Sequence, residues 1–315
     1  MLASSGVMTI TRSFYPLSTP GVLAIRTILK VMDALDRFIR EKPSGYLYHY
    51  TGAAGLIGIT QSGTLWATDY RHLNDRKEYR IGAKLLQDEL GSHRLEEKHR
   101  RAFDRLVAET QKTCFVLSFS EMGDQLSQWR AYCPGGNGYA LGFKQSNALF
   151  ASAQHHHFNL VRCEYDLREQ KKLCHYLVQS FRDGMITKQS WWPSDKDVPS
   201  RVRAFFTRYQ WNLALALVMS ALKHRGFEEE QEWRLVSQYP DEALHGVAFR
   251  PGRFGVTPYF ELPLKLKEDD PRQIDEIVIG PTPNRPASRA ALDVLLSKCD
   301  IAVSSIKVSH TPLRH

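Results

Sequence analysis

Two glutamates one residue apart, Glu230 and Glu232, stand at the head of an apolar stretch that reads GFEEEQEWRLV over 226–236. In an extended chain, alternation puts Glu230, Glu232 and Arg234 on one face and Gln231, Trp233 and Leu235 on the other. Carboxylates about 7 Å apart on a strand face can take unequal roles. One opposes a developing cation while the other orients a nucleophile. Arg234 on the same face would keep one of them ionised. A solvated edge strand with an ordinary ion pair gives the same pattern, so the pair needs partners elsewhere in the chain.

Those partners come from two upstream segments. Residues 46–68 read YLYHYTGAAGLIGITQSGTLWAT. An alternating apolar segment ends in His49, Tyr50 and Thr51; a helical turn follows around Leu56, Ile57 and Ile59, and Ser62-Gly63 stops it before a second strand. Two side-chain hydrogen-bonders at a strand end would stand at the mouth of a cleft, although a lone strand histidine is equally a satisfied core residue. The second segment, 114–143, closes an apolar strand with Ser118 and Ser120 and continues through Asp124 to Trp129 and Tyr132. Trp129 and Tyr132, three apart, share one side of a short helix. Aromatic rings beside the glycine turn at 134–138 suit stacking on a flat ring such as nicotinamide or a base. Each ring taken singly fits core packing as well.

Other chemistry is weakly encoded. Asn74, Asp75 and Glu78 read as a helix cap with a reciprocal carboxylate. The run His155-His156-His157, with Cys163, Cys174 and His175, matches no zinc spacing, and adjacent strand histidines point to opposite faces. No metal site is expected. Neither a Gly-x-Ser-x-Gly elbow nor a His-Glu-x-x-His helix is present, and no glycine-rich phosphate loop follows a strand.

The elements that would position these residues alternate in type. Strands are expected at 46–50, 64–68, 113–119, 138–143, 159–165, 232–238, 256–262, 274–280 and 303–309, and helices at 75–92, 94–111, 199–224 and 286–298. That is an α+β pattern around a mixed, mostly antiparallel sheet with flanking helices. Residues 1–43 read as a helical extension that packs on the main unit or binds a partner. Residues 44–315 read as one domain with a helical insertion around 167–225, and 183–200, with Trp191 and Trp192, as a surface loop or lid.

Composition bounds the answer. The chain has 315 residues, 43% of them hydrophobic, and a formal net charge of +8, which favours an anionic partner. Five cysteines without C-x-x-C spacing argue for a reducing, cytoplasmic setting. The longest apolar run, Leu213–Leu222, is too short to span a membrane and reads as a core helix.

The order His-x-Thr, Ser-x-Ser, Glu-x-Glu resembles the ADP-ribosyltransferase superfamily. Tyr48-His49-Tyr50-Thr51 through Ser62-Gly63 looks like the first motif of its diphtheria-toxin and poly-ADP-ribose-polymerase branch. Glu230-Gln231-Glu232 looks like the Glu-x-Glu of its arginine-modifying branch. Nearly the whole chain from Tyr46 to Arg314 also resembles a widespread bacterial family described as a domain of unknown function. Its pattern appears here as Ser62-Gly63-x-Leu65-Trp66, Leu73-Asn74-Asp75-x-x-Glu78, Ser118-Phe119-Ser120-Glu121, Trp129-x-x-Tyr132, Glu230-x-Glu232-Trp233-Arg234 and Val308-Ser309-His310-Thr311-Pro312.

The transferase resemblance implies an ADP-ribosyltransferase-like sheet core, with NAD as substrate and a protein or nucleic-acid acceptor, in a toxin or an anti-phage effector. Glu232 and Glu230 would be catalytic. His49, Tyr50 and Thr51 would hold NAD, with Ser118, Ser120, Trp129 and Tyr132 lining the same cleft. Trp66, Tyr70 and Tyr79 are further candidates to stack on nicotinamide. NAD hydrolysis without an acceptor is the nearest alternative. A basic nucleic-acid-binding module, or a nuclease using Asp75, Glu78, Glu230 and Glu232, is the more distant one.

Overall fold

A computed structural model describes residues 41–73, 76–112, 114–133, 138–190, 208–238, 246–252 and 255–312. The expected extension at 1–43 therefore lies almost wholly outside the described residues, as do Trp191 and Trp192 of the expected lid.

The architecture is α+β, with one mixed, mostly antiparallel sheet and flanking helices. Its strands are β1 (Leu47–Gly52), β2 (Thr64–Asp69), β3 (Cys114–Ser120), β4 (Gly138–Phe143), β5 (Asn159–Arg162), β6 (Glu232–Gln238), β7 (Val247–Gly252), β8 (Gly255–Pro263), β9 (Arg272–Ile279) and β10 (Ile301–Val308). The main path runs β10-β9-β4-β1-β3-β2-β8-β7, with β6 and then β5 branching from β3. Among the strands of the described residues only β9 and β10 pair in parallel, and helix α8 (Arg285–Lys298) connects them.

The branch at β3 shapes the molecule. β6 pairs along the whole of one edge, from Cys114 opposite Gln238 to Ser120 opposite Glu232. The other edge is divided. β2 takes Phe115 and Val116, while β1 takes Ser120. The two strands thus part along β3, and the edge between Val116 and Ser120 is left open between them.

Alternation along β3 assigns its side chains to two cores. Cys114 and Val116 join the helical layer formed by α2 (Arg76–Ser92), α3 (Glu97–Lys112), α6 (Leu167–Ser190) and α7 (Arg208–Ala221). Phe115, Leu117 and Phe119 join the opposite core with α1 (Ala53–Ser62), α5 (Ala148–His155) and α8. Toward the end of β3 the helix-side face turns polar at Ser118 and Ser120. β6 runs the other way, from polar Glu232 and Arg234 into apolar Val236. Apolar core therefore gives way to a polar site at one end of the same two strands.

Three elements differ from sequence expectation. β7 and α5 are additional. Helix α6 continues through Ser190, where composition from 183 onward reads as loop. Its buried Cys174, Leu177, Val178 and Phe181 keep helical spacing against the core, and that packing outweighs the polar residues that follow.

Candidate functional site

The open edge of β3 is the floor of a cavity of about 670 Å³. It is lined by His49, Tyr50 and Thr51 of β1, Trp66 and Thr68 of β2, Ser118 and Ser120 of β3, Tyr132 of α4 (Leu126–Tyr132), and Lys223, Glu230, Glu232, Arg234 and Arg250.

His49 sits in the split itself. Its Nδ1 donates to the Ser118 carbonyl at 3.0 Å, a carbonyl on the β3 edge between the β1 and β2 pairings. A carbonyl can only accept, so Nδ1 carries the proton and Nε2 is the acceptor in the neutral ring. Burial lowers the His49 pKa, and the nearby Arg250 charge adds to it against the opposing Ser118 bond. Thr51 caps the same strand. A Cβ on Gly55 would collide with the Thr51 hydroxyl, so glycine there lets α1 start directly from β1. No side chain caps that first turn.

The opposite wall is an ion-pair quartet. Arg234 Nε reaches Glu232 Oε1 at 2.7 Å and its Nη2 reaches Oε2 at 2.8 Å. Lys223 Nζ donates to Glu232 Oε2 and to Glu230 Oε2, both at 2.6 Å. The Cys163 thiol lies 3.6 Å from Glu232 Oε2, and Tyr165 Oη accepts the Glu232 amide at 2.9 Å. Burial pushes the Glu232 pKa up, but the charges of Arg234 and then Lys223, with their hydrogen bonds, outweigh it and hold it at about 2. The Glu232 side chain is 6% exposed and that of Glu230 is 15% exposed, so Glu230 is the more accessible carboxylate.

Strand alternation does not bring the two glutamates together. Glu230 ends a 3-10 turn, Arg225–Glu230, and Gln231 has φ 42°, in the left-handed region. That residue swings the chain into β6, whose first residue is Glu232. The pair meets because Lys223 bonds both. Ser120 fixes the turn by donating to the Glu230 carbonyl at 2.7 Å, and Gln125 donates to the Glu229 carbonyl at 2.7 Å.

His49 and Glu232 are not on neighbouring strands, since β3 runs between β1 and β6. Alternation from the Tyr48–Ser120 and Ser120–Glu232 pairs also places His49 on the face away from Glu232. Both line one cavity because the cavity passes through the split between β1 and β2.

Among the other expected residues, Tyr132 is 37% exposed at the cavity. Desolvation of its phenol, and then the negative charges of Glu232 and Glu230, push its pKa up. Trp129 is corrected to a packing residue. It is 1% exposed, edge-on to Tyr50 at 4.7 Å, with Nε1 donating to Asp124 at 2.7 Å. The two rings share one side of the helix, and the packing of Trp129 against Tyr50 takes it into core while Tyr132 stays at the cavity. Tyr70 is corrected likewise: it is 2% exposed in the helical core and donates to the Met219 carbonyl at 2.9 Å. Tyr79 and Glu78 lie on α2, but their side chains fall outside the described residues, as do Asn74 and Asp75 entirely.

The sequence reading missed Lys223 and Arg250. Lys223 left one signal: it directly follows the apolar run Leu213–Leu222, and a cation at the end of a buried helix needs a carboxylate partner. Arg250 left none. Among the described residues, one cluster with ligand spacing occurs, Glu89, His93 and His175, and it lies outside the cavity.

Residues 128–235 match the family model described as Protein of unknown function (DUF2971). That span carries Tyr132, Lys223, Glu230, Glu232 and Arg234, while His49, Thr51 and Arg250 fall outside it. No curated protein and no solved structure matches the chain. Among the described residues no helix is long and apolar enough to cross a membrane.

Proposed function

We propose that the cavity binds NAD and that the chain is an NAD-dependent ADP-ribosyltransferase. The observation that carries this reading is the meeting of His49 and Thr51 with Glu230 and Glu232 around one cavity of about 670 Å³, a size suited to a small-molecule ligand. The motifs are far apart in sequence, and their order is that of the resemblance.

The reaction breaks the bond between ribose C1′ and the nicotinamide nitrogen. The bonding pair leaves with nicotinamide, which becomes neutral, and the ribose gains oxocarbenium character. A carboxylate beside the ribose opposes that charge. Glu230 suits this role, because both oxygens of Glu232 are engaged by Arg234 and Lys223. Glu232 then holds Lys223, which in turn holds Glu230. Tyr132 is the exposed ring able to pack on nicotinamide, and His49 and Thr51 offer hydrogen bonds to the far ribose. An acceptor hydroxyl, amine or carboxylate attacks C1′ and releases any proton it carries.

The self-neutralised quartet also favours a second reading, a nucleotide-binding site without turnover. Labelled NAD, incubated with the protein and a cell lysate, separates the two. Transfer is expected to release nicotinamide and to label a protein or nucleic-acid fraction. Glu230→Gln is expected to slow release by about 10²-fold or more while NAD binding changes little. NAD binding without nicotinamide release would establish the second reading, and absence of binding would remove both.

A further inference from the structure

Arg250 is the cavity cation without a carboxylate. Lys223 and Arg234 are neutralised by Glu230 and Glu232, but Arg250 makes no ion pair among the described residues. Its guanidinium lies 5.1 Å from the Trp66 ring centre and 5.8 Å from that of Tyr259, so two aromatic faces set its plane. One Nη donates to the Thr68 hydroxyl at 2.9 Å. Its Nε is buried without an acceptor, and so is Nε1 of the Trp66 ring it stacks on. Trp66, Thr68 and Arg250 all line the cavity.

Two buried N–H groups in stacked side chains therefore lack acceptors beside an unpaired positive charge. Native structures satisfy buried donors almost without exception. The deficit is one of acceptors and of negative charge, which excludes an amine or a neutral ring as the missing partner. A phosphate group supplies several anionic oxygens, and the fork of a guanidinium matches them with parallel hydrogen bonds. Burial already lowers the Arg250 pKa, as expected for a cation held without its counter-ion.

We propose that Arg250, with Thr68 and Trp66, forms a phosphate subsite that takes the diphosphate of the ligand. The subsite gives the proposed NAD site its selectivity for phosphorylated over unphosphorylated nucleosides, and to that extent it rests on the preceding reading. The anion-binding step itself requires no turnover.

Calorimetric titration of the full chain with ADP, adenosine and inorganic pyrophosphate tests it. Wild type is expected to bind ADP more tightly than adenosine. Arg250→Gln is expected to weaken ADP by about 10- to 100-fold, the usual worth of a charge-assisted pair of hydrogen bonds, and to leave adenosine unchanged. Arg250→Lys, which keeps charge but loses the fork, should fall between them. Pyrophosphate binding that depends on Arg250 supports the subsite even if no nicotinamide is ever released from NAD; in that case the transferase reading fails alone. Arg250-dependent binding of ADP but not of pyrophosphate assigns the subsite to nucleotide phosphate rather than free phosphate. Three results would overturn the subsite. One is equal weakening of ADP and adenosine in Arg250→Gln at unchanged melting temperature. Another is an unaltered ADP affinity. The third is no binding of either phosphorylated probe by wild type.

Discussion

Glu232 is anchored more firmly than a cleft carboxylate needs to be. Its two oxygens hold a guanidinium and an ammonium that are themselves 4% and 3% exposed. Removing the charge strands both cations, and breaking a buried ion pair from one side costs about 3–5 kcal/mol. Glu232→Gln is therefore expected to lower thermal stability by that order. The sequence reading weighs this residue as a catalytic carboxylate, and the quartet gives it a structural role as well. The pH dependence follows from the depressed pKa. The contribution is fully present above the ordinary carboxyl value of 4.5 and is lost as pH falls toward about 2. Melting curves of wild type and Glu232→Gln should thus differ most near neutrality and converge in acid. A constant gap down to the acid limit would show that the charge is not what stabilises. Glu230 is more accessible, at 15% exposure, so on the transferase proposal its loss should affect turnover more than stability.

Among the elements, α4 has the most consequential anchorage. Asp124, just ahead of it, accepts from Trp129 Nε1 at 2.7 Å, Ser309 Oγ at 2.5 Å, the His310 amide at 2.8 Å and Thr311 Oγ1 at 2.8 Å. Burial alone would raise its pKa, but the bonds from Ser309, Trp129 and their neighbours hold it below the ordinary range. Trp129, Ser309, the His310 amide and Thr311 thus share one carboxylate. The helix that carries Tyr132 into the cavity is thereby tied to the strand end of β10. Asp124→Ala is expected to cost about 2–3 kcal/mol, since hydrogen bonds to charged groups are worth about 1.5–3 kcal/mol each and do not add fully. Hydrogen exchange should show the amides of 309–311 losing protection. Unchanged protection there would mean that the tie is incidental.

The molecule as a whole is one sheet with a core on each face, and β3 serves both. Cys114 and Val116 are 1% and 2% exposed on the helical side, and Phe115, Leu117 and Phe119 are 1%, 2% and 2% exposed on the other. Unfolding either face exposes a strand that the other requires. A single cooperative transition is expected, with far-ultraviolet dichroism and tryptophan fluorescence superimposing. Leu217→Ala, in the helical core at 1% exposure, should shift both curves together by about 2–5 kcal/mol. Two separated transitions would show that the faces fold independently. The net charge of +8 acts at this scale too, as a field that would favour the anionic ligand proposed for a cavity where three cations meet two carboxylates.

Local pattern carried much of this in the chain itself. The α+β class, β6 at 232–238 and the turn from His49 through Ser62-Gly63 follow from periodicity and breakers, because a strand or helix needs only its own residues to declare its period. The presence of His49, Thr51, Ser120, Tyr132, Glu230 and Glu232 around one site was legible as spacing and motif order. What could not be read was which side chains face each other once strands pair out of order. Trp129 and Tyr132 are equivalent by spacing, and only the packing of α4 against Tyr50 sends one into core. Glu230 and Glu232 look like partners on a strand, yet a left-handed Gln231 and a lysine from the end of α7 join them. Arg250 gives no local sign because its lack of an ion pair among the described residues is a property of the surrounding fold and not of its own segment. Register and long-range pairing are decided by tertiary burial, which no window of sequence contains.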